Sequence, residues 1–250
     1  RWFPGFPRPP YTPGLDVVGV VDALGAGVTE PSTGSIVAGG PYPQGGCYAS
    51  HVCRPADTLV PVPDGVDPAE AVCLVTDYLT ARHVLHDTAH VHPGERVLVQ
   101  GAAGGVGTAL LQLGALAGLE LYGTASPHNH DLVSALGATP IDYRTEDVVA
   151  RGHALTGDGV DVVFDPIGGS AQLRQSYRCL RPGGRLVWFG VAAITRRGVR
   201  VIPESLLTRL LLDLRRDGRH APMTTDEPPA EQRRHLAELL ALLAAGDLRP

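Results

Sequence analysis

Arg96-Val-Leu-Val-Gln100 runs directly into Gly101-Ala-Ala-Gly-Gly-Val-Gly107, and the residues beyond Gly107 read as a helix that stops near Gly118. A short apolar run, a glycine-rich turn and a helix in that order form a β-turn-α unit. The helix begins with backbone N–H groups that have no intrahelical acceptor, and small residues let an anion approach them. A pyrophosphate suits such a start. Gly104 and Gly107 keep the second and third glycines of the usual G-x-G-x-x-G spacing, while Ala102 stands at the first. Ala102, Gly104, Gly105, Val106 and Gly107 are therefore candidate dinucleotide-binding residues.

The alternation continues downstream. Leu121–Ala125 reads as a second strand, followed by a helix from Asn129 to Leu136 closed by Gly137. Pro140–Tyr143 is a third strand, leading to a helix begun by Thr145 with Glu146 and Asp147 in its first turn. Val160–Phe164 is a fourth strand, residues 170 to 180 a helix, Pro182–Gly184 a turn and Leu186–Phe189 a fifth strand. Strands alternating with helices predict an α/β doubly wound parallel sheet. Leu206, Leu207, Leu210, Leu211 and Leu214 form one helical stripe before Gly218, and Leu236, Leu239, Leu240 and Leu243 form another before Gly246. Both are expected to pack on the sheet.

Upstream the texture differs. The first sixty-odd residues are rich in Gly and Pro, with short β-branched runs at Asp16–Val21 and Leu59–Val62, which reads as a small all-β unit. Pro68-Ala-Glu-Ala-Val then opens a helical stretch to about His90. The expected division is residues 1–66 and residues 67–250.

At 250 residues, with 44% hydrophobic and 19% charged residues, the chain can bury a substantial core. Its net charge of -5 gives no general attraction for nucleic acid or anionic lipid, and no apolar run is long enough for stable membrane insertion. All 21 basic residues are Arg, so a phosphate here must be met by Arg, hydroxyls or backbone N–H groups. Cys47, Cys53, Cys73 and Cys179 show no Cys-x-x-Cys pair, lie in apolar surroundings, and read as buried small hydrophobes in a reducing, cytoplasmic compartment. The opening at Arg1 without Met is expected of a portion of a longer protein.

Further site residues follow from the second strand. It ends in Thr124-Ala125-Ser126-Pro127, where sites selective for the unphosphorylated cofactor commonly place a carboxylate on the ribose. Without that carboxylate, a 2′-phosphate escapes repulsion and can accept from Ser126, with Tyr143 and Arg144 arriving from the third strand. The alternative is that Ser126 caps the next helix and Tyr143 packs. His83, His86, His90 and His92 read as a solvated helix end, not as metal ligands. His128 and His130 read as exposed helix-start residues, or as additional support for a cofactor phosphate.

As an ordered set, several segments resemble the zinc-independent branch of the medium-chain dehydrogenase/reductase family, the quinone oxidoreductase or zeta-crystallin group. They are Tyr11–Val21, Gly45–Ala49, Pro61–Gly65, Leu79–Ala81, Pro93–Val99, Ala102–Gly107, Leu136–Ala138, Ile141–Tyr143 and Arg181–Arg185. Ile141-Asp-Tyr-Arg-Thr and Gly159–Gly169 look closest to the vesicle amine transport protein-like reductases.

The resemblance implies a partial GroES-like catalytic domain joined to a Rossmann domain, a cleft between them, NADPH as cofactor, a quinone or α,β-unsaturated carbonyl as substrate, and a homodimer. It also implies Thr80 as a catalytic nicotinamide neighbour, and Ile167, Gly168 and Gly190 as backbone neighbours of the ribose and nicotinamide. Zinc-dependent relatives have Gly-His-Glu where this chain has Gly14-Leu15-Asp16, and a cysteine where it has Thr76, so no metal is expected. Asn129 occupies the position where many NADPH-using relatives carry Lys. Both ends are short of the family pattern. A non-catalytic NADPH-binding structural or trafficking protein, and an enoyl-reductase domain acting on carrier-bound thioesters, are the alternatives.

Overall fold

The computed structural model describes residues 10–42, 45–190, 192–215, 217–224 and 227–250. The chain divides into two compact units, Arg1–Thr80 with Asp226–Pro250, and Ala81–Thr225. In the first, β1 (Val17–Val20), β2 (Ile36–Gly39) and β3 (Leu59–Pro61) form an antiparallel sheet in sequence order. Alternation of β-branched residues puts Val37, Val60 and Val62 into its core. α1 (Pro68–Cys73) starts where the Asp67 carboxylate accepts from the Ala69 N–H at 2.8 Å, with Pro68 in the first turn. The stretch continues through a π-helical segment (Leu74–Tyr78), α2 (Leu79–Arg82) and a second π-helical segment (His83–Thr88).

The second unit carries the parallel sheet. β4 (Arg96–Val99) leads through the glycine turn to α3 (Gly105–Leu116); β5 (Glu120–Ala125), α4 (His130–Ala135) and β6 (Thr139–Asp142) follow. Then come α5 (Val148–Thr156), β7 (Val160–Asp165), α6 (Ser170–Arg178), β8 (Leu180–Trp188), the short α7 (Ile194–Arg197) and α8 (Val201–Asp213). The strand order is β6-β5-β4-β7-β8, all parallel, so the chain reverses its direction of travel between β4 and β7. β7 is buried along its whole length, as expected of a central strand covered on both faces. Leu98, Val163, Phe164, Leu173, Leu180 and Leu186 are fully buried around it, each side chain stabilising the fold by about 1.5–3 kcal/mol. At the opposite end of these strands, Asp161 accepts from the Arg96 N–H at 2.7 Å and pairs with the Arg181 guanidinium.

α9 (Pro229–Ala245) closes the chain and ends at Gly246 in the left-handed conformation. Its Leu236, Leu239, Leu240 and Leu243 are buried as expected, but they pack against β3 and its neighbours in the first unit, not on the parallel sheet. The expected boundary at residue 67 therefore differs from the structural one, because the helical stretch after Asp67 extends to Thr80 with the first unit and α9 returns to it.

Four local expectations are corrected. Asp147 is the N-cap of α5, accepting from Val149 and Ala150 N–H groups, and Thr145 instead donates to Asp142. Pro182–Gly184 lies inside β8, with an irregular register opposite Val160 and Val162. α8 turns its leucine stripe outward: Leu206, Leu207, Leu210, Leu211 and Leu214 are 45–68% exposed, while Val201, Ser205, Thr208 and Leu212 face inward. Ser205 and Thr208 tolerate burial because their hydroxyls donate to the Val201 and Glu204 carbonyls one turn back, and Ser205 also accepts from Gly169 N–H. Cys53 and Cys73 are exposed, and only Cys47 and Cys179 of the four are buried.

Candidate functional site: the carboxyl edge of the parallel sheet

A sheet whose strand order reverses leaves a crevice outside the carboxyl ends of the two strands at the reversal, here β4 and β7. Gly101 follows β4 with φ of 67°, which favours glycine, and its N–H donates to the Thr124 hydroxyl at 2.9 Å. Gly104 N–H then closes the turn on the Gly101 carbonyl at 3.0 Å. A Cβ on Gly107 would meet the Ala102 carbonyl carbon at 2.8 Å, and one on Gly123 would meet the Ala102 methyl at 2.6 Å. These approaches bring α3 hard against β4 and β5. The first turn of α3 leaves the Gly105, Val106 and Gly107 N–H groups without intrahelical acceptors, and Gly104 and Gly105 are exposed.

Beside this turn, β5 and β6 end in register, Ala125 opposite Asp142. The next residues are Ser126 and Tyr143. Ser126 occupies the N-cap position of the turn Pro127–Asn129 but its side chain makes no capping bond, and Tyr143 is 48% exposed with the Arg144 guanidinium 5.8 Å from its ring centre. Ser126 therefore does not cap the turn that follows it. Asn129 likewise precedes α4 without a side-chain capping bond. Asp142 lies nearby, but its carboxylate accepts from the Thr145 hydroxyl at 2.7 Å and the Arg144 N–H at 3.0 Å, which hold it below the usual carboxylate range. His130 Nε2 lies 3.4 Å from the Ala125 carbonyl oxygen and His128 is exposed.

Ile167 and Gly168 follow β7. Their N–H groups donate to Asp165 Oδ1 at 2.8 and 3.1 Å, and Gly169 N–H donates to Ser205. These donors are engaged within the protein. Gly190 belongs to the same cluster: a Cβ on it would meet the Pro166 Cα at 2.8 Å. Thr80 belongs to the other unit, half-buried on α2 between the two π-helical segments. His83 pairs with Asp87 at 3.1 Å, one turn along its own helical stretch.

Sequence reasoning missed Gln100, Asp165 and Ser176, all fully buried at this edge. The available signal was a polar residue closing an otherwise apolar strand, as Gln100 closes Val97–Val99 and Asp165 closes Val162–Phe164.

A family model described as alcohol dehydrogenase GroES-like domain matches residues 2–64, and one described as zinc-binding dehydrogenase matches residues 105–212. A quinone oxidoreductase of Pseudomonas syringae pv. Tomato DC3000 superposes with a TM-score of 0.82 at 32% identity, covering 97% of this chain and 74% of that one. This chain belongs to the zinc-independent, quinone-oxidoreductase-like branch of the medium-chain dehydrogenase/reductase family. As a member it has the Rossmann-type sheet and the GroES-like N-terminal portion expected from the resemblance. The synaptic vesicle membrane protein VAT-1 homolog of Danio rerio is 38% identical over 188 residues, 74% of this chain but 38% of that protein's length. The pikromycin polyketide synthase component PikAII of Streptomyces venezuelae is 40% identical over 185 residues, 72% of this chain and 5% of that one. The chain thus spans less than half of the curated relatives it matches. Among the described residues no helix is long and apolar enough to cross a membrane.

The zinc of the family's metal-dependent branch does not fit the residues here. Thr76 donates its hydroxyl to Asp16 Oδ1 at 2.5 Å, and Leu15 offers no ligand atom. Burial lifts the Asp16 carboxyl above its usual range despite that hydrogen bond, with Asp77 adding to the rise. A nicotinamide dinucleotide does fit: the Cβ-free approach at Gly107 and the N–H groups open at the start of α3 suit a pyrophosphate.

Proposed function

We propose that this chain is the cofactor-binding part of a metal-free, NADPH-dependent reductase acting on a quinone or an α,β-unsaturated carbonyl. The observation that carries the reading is the uncapped Ser126 beside the exposed Tyr143 and Arg144, at the strand end where a carboxylate would select the unphosphorylated cofactor. Ser126, Asn129, Tyr143 and Arg144 hold the 2′-phosphate. Gly104, Gly105, Val106 and Gly107, with Ala102 behind them, hold the pyrophosphate through main-chain N–H groups.

When bound, the dihydronicotinamide supplies the hydride, to an electrophilic ring or β-carbon. The chain's own contribution is to bind, orient and exclude water, which in favourable cases lowers a barrier by about 7–11 kcal/mol. Thr80 orients the carboxamide, and the Ile167–Gly168 loop with Gly190 supports the ribose. Solvent returns the proton to the reduced acceptor.

A homodimer is part of this reading. The exposed leucines of α8, with an adjoining cavity of about 270 Å³ lined by Arg174, Thr208, Leu211, Leu212 and Arg215, support a second copy docking there. A cytoplasmic location accords with the four free cysteines.

The similarity to a polyketide synthase component favours one second reading, reduction of a carrier-bound enoyl thioester. A non-catalytic NADPH-binding role is the remaining one. Following NADPH absorbance with quinones, free enones and enoyl thioesters, alongside direct cofactor affinity, separates the three. Turnover of a free quinone or enone is expected. Oxidation confined to the thioesters selects the second reading, and tight binding with no oxidation selects the last.

A further inference from the structure

Four side chains buried at the reversal point form a single directed chain of hydrogen bonds. Gly101 N–H donates to Thr124 Oγ1 at 2.9 Å, and the Thr124 hydroxyl donates to Gln100 Oε1 at 2.9 Å. Gln100 Nε2 donates to Ser176 Oγ at 3.2 Å, and the Ser176 hydroxyl donates to Asp165 Oδ2 at 2.7 Å. Asp165 Oδ1 then accepts from Ile167 and Gly168 N–H at 2.8 and 3.1 Å. Gln100, Thr124, Ser176 and Asp165 are all at most 2% exposed.

The direction of every bond is fixed by what each end can do. Gly101 N–H can only donate, so the Thr124 oxygen accepts and its proton must go onward to the oxygen of the Gln100 amide. That orients the amide nitrogen toward Ser176, whose own proton is left for the carboxylate. An ionised carboxylate only accepts, so it is the natural terminus of the chain. Burial lifts the Asp165 pKa above the usual carboxylate range, against the Ser176, main-chain and Gln172 donors that favour its charge. Since a buried carboxylate must be satisfied on both oxygens, the Ile167–Gly168 loop is held wherever Asp165 is held.

We propose that Gln100, Thr124, Ser176 and Asp165 are positioning residues that lock the glycine turn after β4 to the Ile167–Gly168 loop after β7. The two halves of one dinucleotide are thereby received in a fixed register. The inference rests on the cofactor reading above, and extends it to residues that touch no ligand. Gly101 sits at one end of the chain and supports the pyrophosphate turn. Ile167 and Gly168 sit at the other and support the ribose loop.

The test uses the whole chain with Thr124→Val, Ser176→Ala, their double variant and Thr124→Ser. Amide hydrogen exchange at Gly101 is the readout that needs no cofactor. Cutting the chain at Ser176 is expected to speed Gly101 exchange at least about fivefold relative to amides in α3, although the two positions are bonded only through Gln100 and Thr124. NADPH affinity is the second readout. Each single cut is expected to weaken binding about tenfold and the double variant by far less than the product, because a chain cut once has little left to lose. Thr124→Ser keeps the hydroxyl and is expected to bind within about twofold of the parent. Unchanged Gly101 exchange in Ser176→Ala, or fully multiplicative losses, overturns the proposal. If Ser176→Ala does not fold, Gln100→Met makes the same cut from the neighbouring link. A parent protein that binds no nucleotide overturns the cofactor reading, while exchange at Gly101 still decides whether the two loops are coupled.

Discussion

Gly107 and Ala102 are packed so closely that a Cβ on Gly107 would come within 2.8 Å of the Ala102 carbonyl carbon. The contact is with main chain at the base of the glycine turn, so no flexible side chain can move aside. Gly107→Ala is expected to push the start of α3 away from β4, destabilise the protein by about 1–3 kcal/mol and weaken NADPH binding at least about tenfold. Thermal melting and titration calorimetry check both. Gly105 offers the contrast, since it is exposed at the start of α3. Gly105→Ala is expected to melt close to the parent.

Ser126 stands at the end of β5 beside Tyr143 at the end of β6. Ser126→Asp restores a carboxylate to this strand end. It is expected to weaken NADPH by at least about tenfold, about 1.4 kcal/mol, through repulsion of the 2′-phosphate, and to leave NADH binding equal or tighter. Parallel loss of both cofactors would mean that Ser126 has no part in discriminating them.

Much of this fold was legible because its signals are local. The glycine turn after Arg96–Gln100, the apolar strands and the glycine that ends α9 each declare themselves within a few residues. α8 was misread because five leucines suggested a core face, while the buried face uses Ser205 and Thr208, whose polarity is cancelled by hydrogen bonds invisible in a hydropathy pattern. Asp165 and Ser176 were missed for a related reason. They lie 11 residues apart and their bond exists only once α6 has folded back on β7. Ser126 and Tyr143 are candidates together because the missing carboxylate is a local feature, and the parallel pairing of β5 with β6 brings the ends of their strands side by side.

The outward leucines of α8 predict an association surface. Leu207→Glu with Leu211→Glu is expected to convert a dimer to a monomer in sedimentation velocity while leaving the melting temperature of the monomeric unit nearly unchanged, since both side chains are more than half exposed. A parent protein that sediments as a monomer at all concentrations would sink the homodimer.

Asp161 predicts an acid limb to stability. Burial works against its charge, but the Arg96 N–H and the Arg181 and Arg96 guanidinium groups outweigh it and hold its native pKa below the usual aspartate range. A depressed native pKa contributes stability that is fully present above the unfolded value and is lost as pH falls through the native one. Denaturant midpoints are therefore expected to decline below about pH 4, and Asp161→Asn is expected to lower stability at pH 7 and flatten that decline. An Asp161→Asn protein with an unchanged acid limb would contradict this assignment.

The claim on which the account rests is that the carboxyl edge of the parallel sheet receives a 2′-phosphorylated nicotinamide dinucleotide. Titration calorimetry of the purified chain with NADPH and, separately, NADH tests it most directly. The expected result is saturable one-site binding of NADPH at least about tenfold tighter than NADH, a difference of about 1.4 kcal/mol. Binding of neither nucleotide, or of NADH as tightly as NADPH, would contradict it.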